Sequence, residues 1–425
     1  MGELSSGEKI AILDKYNFWD GKAMIFGYIR PSYLNRLQGF LNNSLIKVIL
    51  GQRRAGKSRI MRMMIEHLTT DLKISPQNCL YINKELHDFN FINDAQALMN
   101  AIQLYREIQQ PQGKIYLFLD EVQEIEGWEI AVNSLSQDYQ VETEIFITGS
   151  NANLLSSDLA TYLSGRYLTM TVYPFSYEEY LQVVQLPRCK STVLDYLREG
   201  GMPELYQLQG QEAKQNYVQS LLDSIVLRDI VQRNRVRDVF LLEKLIHFTV
   251  DSVGSMLSIP SIIKSLQRLG YKSNAETLGN YLAFCQNAFF LHECPRYDLR
   301  GKQILIGERK YYLNDLAFKS ILQTGFDANV NRMLENLVYL SLRRQGYQVY
   351  VGRFNHQEID FVAEKNNEKL YVQVAYILAS DVVVEREFGN LHLIRDNYPK
   401  WVVTLDDINF GNRNGVLHKQ IWDVL

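Results

Sequence analysis

The stretch that most constrains this chain is Gly51-Gln52-Arg53-Arg54-Ala55-Gly56-Lys57-Ser58, a match to G-x-x-x-x-G-K-[ST]. It follows the apolar run Leu45-Ile-Lys-Val-Ile-Leu50 and precedes Arg59-Ile-Met-Arg-Met-Met-Ile-Glu-His-Leu68, which reads as a helix. A buried strand, a loop and a helix in that order are what a phosphate-binding loop needs. The glycines let the backbone wrap close to an anion, and the loop N–H groups and helix N-terminus point at it. Lys57 is expected to reach the β- and γ-phosphates of ATP and the Ser58 hydroxyl to ligate Mg²⁺. Gly51, Gln52, Arg53, Arg54, Ala55, Gly56 and Arg59 complete the expected nucleotide-binding set.

A second motif stands in the right place. Ile115-Tyr-Leu-Phe-Leu119 reads as another buried strand, and it ends in Asp120-Glu121. A carboxylate at the C-terminal end of a strand beside the P-loop strand can hold Mg²⁺, which is the role expected of Asp120. Glu121 is placed to polarise water for attack on the γ-phosphate. The Asp-Glu pair favours ATP hydrolysis over a GTPase switch, in which a Gln from elsewhere orients the water.

At 425 residues the chain is too long for one core, so two or three domains are expected. The net charge of −3 makes it no obvious polyanion binder, so any nucleic-acid contact has to be local. Cys79, Cys189, Cys285 and Cys294 are scattered without a C-x-x-C pair. They read as reduced thiols of a cytoplasmic protein, with neither a zinc site nor a disulfide framework. No signal peptide is expected, and no apolar run reaches the length of a membrane span.

Strands are expected at Leu45–Leu50, Cys79–Asn83, Ile115–Leu119, Glu144–Thr148 and Leu168–Val172, alternating with helices. That pattern means a parallel sheet. The fourth strand runs out into Thr148-Gly149-Ser150-Asn151. Thr148, Ser150 and Asn151 are candidates for positioning the attacking water, chiefly Ser150 and Asn151, although Ser and Asn also cap helices. Arg166, in Leu163-Ser-Gly-Arg166, is a candidate arginine finger on nucleotide held by a neighbouring subunit. An ordinary loop arginine paired with a carboxylate explains it equally well.

Residues 176–250 are helix-rich and read as a lid, with Asp223, Asp229 and Asp238 balancing nearby arginines on a solvated helix. Residues 251–326 read as a winged helix. Ser258-Ile-Pro starts one helix, Ser273 caps the next through Cys285, and Phe289–Arg296 with Gln303–Ile306 form the wing. The second helix has no Lys or Arg, which argues against ordinary groove reading. Arg296, Arg300, Lys302, Arg309 and Lys310 are left to touch a DNA backbone. Residues 327–425 run helix, three strands, helix, strand, an order that suits a restriction-endonuclease-like core. Glu335, Asp360 and Gln373 mark the expected metal-site positions. Ala375 stands where active members carry a Lys, so a degenerate, non-cleaving domain is expected. An ATP-regulated nuclease with an altered site is the alternative.

Together these residues resemble a large prokaryotic family of AAA-type P-loop ATPases with a C-terminal domain of unknown function. The resemblance is carried by the P-loop, Leu119-Asp-Glu121, Thr148-Gly-Ser-Asn151, Leu163-Ser-Gly-Arg166, Gly200-Gly-Met-Pro-Glu204, Ile225-Val-Leu-Arg-Asp229 and Gln373-Val-Ala-Tyr376. It implies an α/β fold: an AAA+ P-loop core (1–175), a helical lid, a winged-helix region and a nuclease-like tail. It supplies no substrate. DNA or a protein is the expected partner, with no membrane and with nucleotide-dependent homo-oligomers as an option. An interaction module without nucleic acid is the further alternative.

Overall fold

The computed structural model of the chain describes residues 4–21, 27–138, 140–155, 163, 165–322 and 330–425. It divides into two units, Met1–Val172 and Tyr173–Leu425.

The first unit holds five parallel strands: β1 (Ile46–Leu50), β2 (Cys79–Asn83), β3 (Ile115–Asp120), β4 (Thr143–Gly149) and β5 (Tyr167–Thr171). Their order is β2-β3-β4-β1-β5. Each lies within a residue or so of its predicted position. β1 and β3 are buried along their whole length, as strands of a parallel sheet are when both faces are covered. β4 lies between β1 and β3, so its C-terminal end falls between the two phosphate-site motifs. Among the described residues five α-helices accompany the sheet: α1 (Ser6–Tyr16), α2 (Pro31–Gln38), α3 (Lys57–Glu66), α4 (Ala95–Gln109) and α5 (Trp128–Ser136). The two central strands share a buried charge pair, Lys47 Nζ to Glu144 Oε1 at 2.6 Å, and Lys114 meets the other Glu144 oxygen at 2.6 Å. A lysine in the middle of an apolar strand is tolerated because that carboxylate faces it.

The second unit spans the segments read as lid, winged helix and nuclease-like tail. The boundary expected at 326/327 lies outside the described residues. Apolar side chains from all three segments, among them Leu222, Ile262, Leu282, Val338 and Phe361, form one continuous core. The expected wing is β6 (Leu291–Asp298) and β7 (Gln303–Leu313), and it is also the edge of a larger sheet. With β8 (Gln348–Phe354), β9 (Gln357–Lys365), β10 (Glu368–Ala375), β11 (Lys400–Thr404), β12 (Asn412–Arg413) and β13 (Val416–Gln420), the order is β12-β13-β11-β10-β9-β8-β6-β7. β6 pairs in parallel with β8, which joins hairpin and tail.

Two local readings are corrected, and a third gains its cause. The helix Ala275–Asn287 is capped by Asn274, whose extended backbone lets its side chain accept the Thr277 N–H; Ser273 lies one residue too early. Asp229 is buried instead of solvated. The break at Gly200-Gly201 has a tertiary cause. Gly201 N–H and Ala317 N–H both donate to the buried Asp315 carboxylate, at 2.7 and 2.8 Å. A Cβ on Gly200 would stand 2.0 Å from Asp315 Oδ1.

Candidate nucleotide site

The loop leaving β1 turns sharply because two positions accept only glycine. A Cβ on Gly51 would lie 2.2 Å from the Val172 carbonyl oxygen, and Gly56, at φ +100°, is the N-cap of α3. Ala55 O accepts from Arg30 at 2.9 Å, which ties the loop to the residue before α2. Arg53 is buried and pairs with Glu85 at 2.5 Å, while Arg54 is exposed. The Arg59 guanidinium lies against Gly27, and Gln52 is buried.

Lys57 is buried at the start of α3. Its ammonium donates to Gly51 O at 3.1 Å and Gln52 O at 3.3 Å, and stands 3.1 Å from Glu121 Oε1. Glu121 follows β3 in a left-handed conformation, φ +53°, unusual for a residue with a side chain. Its backbone N–H donates to Thr148 Oγ1 at 2.8 Å, and Thr148 Oγ1 donates to Asp120 Oδ1 at 2.5 Å. One threonine at the end of β4 therefore fixes both acidic residues. Tyr81, on β2, donates to Asp120 Oδ2 at 2.7 Å. The Ser58 hydroxyl also bonds Asp120.

The two neighbouring carboxyls are driven apart. Burial, with Glu121 beside it, pushes the Asp120 carboxyl above its usual range. Burial pushes Glu121 the same way, but the Lys57 ammonium and the Gln123 amide outweigh it and bring Glu121 down to about 2. A wholly buried carboxylate beside a serine hydroxyl is a donor set that suits a small hard cation. Ser58 and Asp120 thus fit the Mg²⁺ expected with ATP.

Ser150 and Asn151 are both buried at the end of β4. Asn151 Oδ1 accepts from Asn153 N at 2.8 Å, and its Nδ2 is buried with no acceptor among the described residues. The exposed Arg166 takes part through its backbone: its carbonyl accepts from Ile46 N at 3.0 Å and starts the β1–β5 pairing. The motif spacing revealed nothing of Arg30, Tyr81 or Gln123. Gln123 lies two residues past the Asp120-Glu121 pair, which was the available signal.

In the second unit the tail sets Glu335 and Gln373 near Asp360. Gln373 Oε1 accepts from Asp360 N at 3.4 Å, and Val374 N donates to Asp360 Oδ2 at 2.8 Å. A lysine is present after all, neither on the third strand nor on a helix. Lys310 on β7 is buried, 2.7 Å from Glu335, 2.8 Å from Glu358 and 3.9 Å from Asp360. It was expected on the wing surface for DNA. Tyr312 OH also donates to Glu335. Burial, with Glu335 close by, pushes Asp360 far above the usual carboxylate range. Among the described residues no three His, Cys, Asp or Glu side chains are arranged to hold a metal ion. The Lys310 ammonium thus stands against Glu335 and Glu358, in a tail whose third strand carries Ala375 at the expected lysine position.

A family profile described as an AAA domain matches residues 43–181, and one described as a domain of unknown function (DUF8612) matches residues 190–329. The chain is 37% identical over 388 residues to an uncharacterized protein of Haemophilus influenzae, covering 90% of this chain and 94% of that one. It is 31% identical over 388 residues to an uncharacterized protein of Methanocaldococcus jannaschii, covering 86% and 83%. The Walker-type ATPase PABY2304 of Pyrococcus abyssi superposes on 70% of this chain and 96% of its own, with 14% identity and a TM-score of 0.45.

Proposed function

The chain belongs to a prokaryotic family of AAA-type P-loop ATPases that carry a second domain of unknown function, and from that membership we propose that it hydrolyses ATP to drive a switch or machine acting on a partner macromolecule. Binding of ATP is the property of the AAA module itself. The observation that carries hydrolysis is the Lys57–Glu121 pair held against the Asp120–Thr148 bond.

The phosphates of ATP compete for the Lys57 ammonium, which faces only two carbonyls and one carboxylate. As Lys57 turns to them, Glu121 Oε1 loses its counter-charge and becomes a base. It takes a proton from water as the water oxygen bonds the γ-phosphorus and the bond to the bridging oxygen of ADP breaks. Mg²⁺ at Ser58 and Asp120 supplies charge neutralisation for the phosphate oxygens. Thr148 keeps Asp120 and Glu121 in register through this exchange. The unpartnered Asn151 Nδ2 supports Asn151, with Ser150 as its neighbour, as the group that senses the γ-phosphate or its water. Arg166, exposed on its loop, is suited to serve a neighbouring subunit.

A protein partner is favoured over DNA. Of the wing cations, Arg296 is paired with Glu308 at 2.6 Å, Arg309 with Glu293 at 2.7 Å, and Lys310 is buried, which leaves Arg300 and Lys302. Too few charges remain for strong, salt-sensitive phosphate binding. Among the described residues no helix is long and apolar enough to cross a membrane. The deciding measurement is the ATPase rate with and without single- and double-stranded DNA. An unchanged rate supports the protein partner, and stimulation by DNA reverses the choice.

A further inference from the structure

Glu121 has two ties and they differ in kind. Oε1 faces the Lys57 ammonium at 3.1 Å, and Oε2 accepts from the Gln123 side-chain amide at 2.5 Å. We propose that Gln123 is the positioning residue for Glu121: it keeps the carboxylate in place when Lys57 is drawn away to phosphate. This rests on the reading of Glu121 as the base.

A lysine chain is long and mobile, and an ion pair has little directional preference. A carboxylate tied to Lys57 alone would follow the ammonium toward the nucleotide and lose its aim at water. A neutral amide donor holds one oxygen by a directional bond and does not compete with phosphate for it. The other oxygen is left for the water proton. General-base catalysis depends on such placement before it depends on basicity.

Gln123 also packs against a second strand. It lies in the short 3-10 turn Val122–Glu124, and Val122 and Ile125 are buried. Its Oε1 is buried with no donor among the described residues and faces Gly149. A Cβ on Gly149 would stand 2.9 Å from that oxygen and 3.1 Å from Leu154 Cδ2. Gly149 has no positive φ, so its backbone conformation does not demand glycine; the space for Gln123 and Leu154 does. Gly149 therefore offers an independent handle on the same amide.

The test uses the full chain, steady-state ATPase kinetics and calorimetric titration with ATP, on Gln123→Met, Gly149→Ala, Glu121→Gln and the double variant Glu121→Gln/Gln123→Met. Methionine keeps the length of glutamine and removes the N–H. Gln123→Met is expected to lower kcat by roughly ten- to a hundred-fold and to leave KM and the ATP affinity within about two-fold. Gly149→Ala should do the same more weakly. The double variant should be no slower than Glu121→Gln, because an amide that acts only through a carboxylate has nothing left to position. Wild-type kcat in Gln123→Met, a change confined to KM, or a further equal loss in the double variant would each overturn the proposal. If Glu121→Gln itself turns over normally, the base assignment fails instead.

Discussion

The Lys57 ammonium and the Glu121 carboxylate are an ion pair, 3.1 Å apart and almost wholly buried. The lysine expected to reach phosphate thus neutralises the residue expected to activate water. The nucleotide site carries its own stand-in for the phosphate charge.

Removing either partner should have unequal effects. Lys57→Ala leaves a buried carboxylate held by one amide, and losing one side of a buried pair costs about 3–5 kcal/mol. Glu121→Gln leaves Lys57 with its two carbonyl acceptors and should cost less. Calorimetric melting of the nucleotide-free protein is expected to place Lys57→Ala below Glu121→Gln. ATP titration should show binding lost in the first and kept in the second. Phosphate release should be lost in Lys57→Ala and reduced to a slow residual rate in Glu121→Gln.

Tyr81→Phe removes the phenolic donor to Asp120 without changing the shape of the core. A hydrogen bond to a buried carboxylate contributes about 1–3 kcal/mol, so a lower melting temperature is expected. Activity should need more Mg²⁺ to reach its maximum. A magnesium titration of ATPase rate that superposes on the wild type would reject the link to the metal ligand.

In the second unit, two buried groups give opposite pH dependences. Burial raises the Asp315 carboxyl to about 6, so its protonated form is favoured in the fold. Its contribution is fully present below its ordinary pKa and is lost as pH rises through about 6. Burial lowers His292 to about 4, so the fold favours neutral imidazole. That contribution is present above the ordinary histidine pKa and is lost as pH falls through about 4. The two slopes oppose each other between roughly pH 4 and 6.5. Relative to wild type, Asp315→Asn should gain stability as pH rises across that window, and His292→Gln should lose it. Melting temperatures measured across the window check both signs.

The tail is expected not to cut DNA. Plasmid incubated with protein, ATP and Mg²⁺ or Mn²⁺ should stay supercoiled; nicking that vanishes in Asp360→Ala would promote the nuclease alternative. Lys310 should instead matter for folding. Lys310→Ala leaves the buried Glu335 without its counter-charge and should cost about 3–5 kcal/mol. Lys369, 2.6 Å from Glu364 in a more exposed pair, should cost under about 1 kcal/mol when changed to Ala.

If Arg166 acts between subunits, mixing Arg166→Ala with Glu121→Gln protein restores part of the ATPase activity that each lacks. Mixtures that stay inactive at every ratio, with monomeric elution in ATP, would remove that role.

The nucleotide core was legible in the residues because its signals are local. Five strand-forming runs, a glycine-bounded loop and an Asp-Glu pair at a strand end each occupy one short stretch. Strand order then places Gly51–Ser58 beside Asp120 and Glu121. What holds these residues is not local. Tyr81 and Thr148 reach Asp120 from β2 and β4, and Gln123 reaches Glu121 across a turn that only a left-handed Glu121 creates. The same limit hid Lys310. Read along the chain, it is one more cation on a wing. Only the pairing of β6 with β8 carries the hairpin onto the tail sheet and sets that ammonium among Glu335, Glu358 and Asp360. Sequence alone determined which elements form and which motif binds phosphate, since hydrophobic period and backbone freedom act over a few residues. Tertiary structure decided which charges neutralise one another, because a buried charge finds its partner through space.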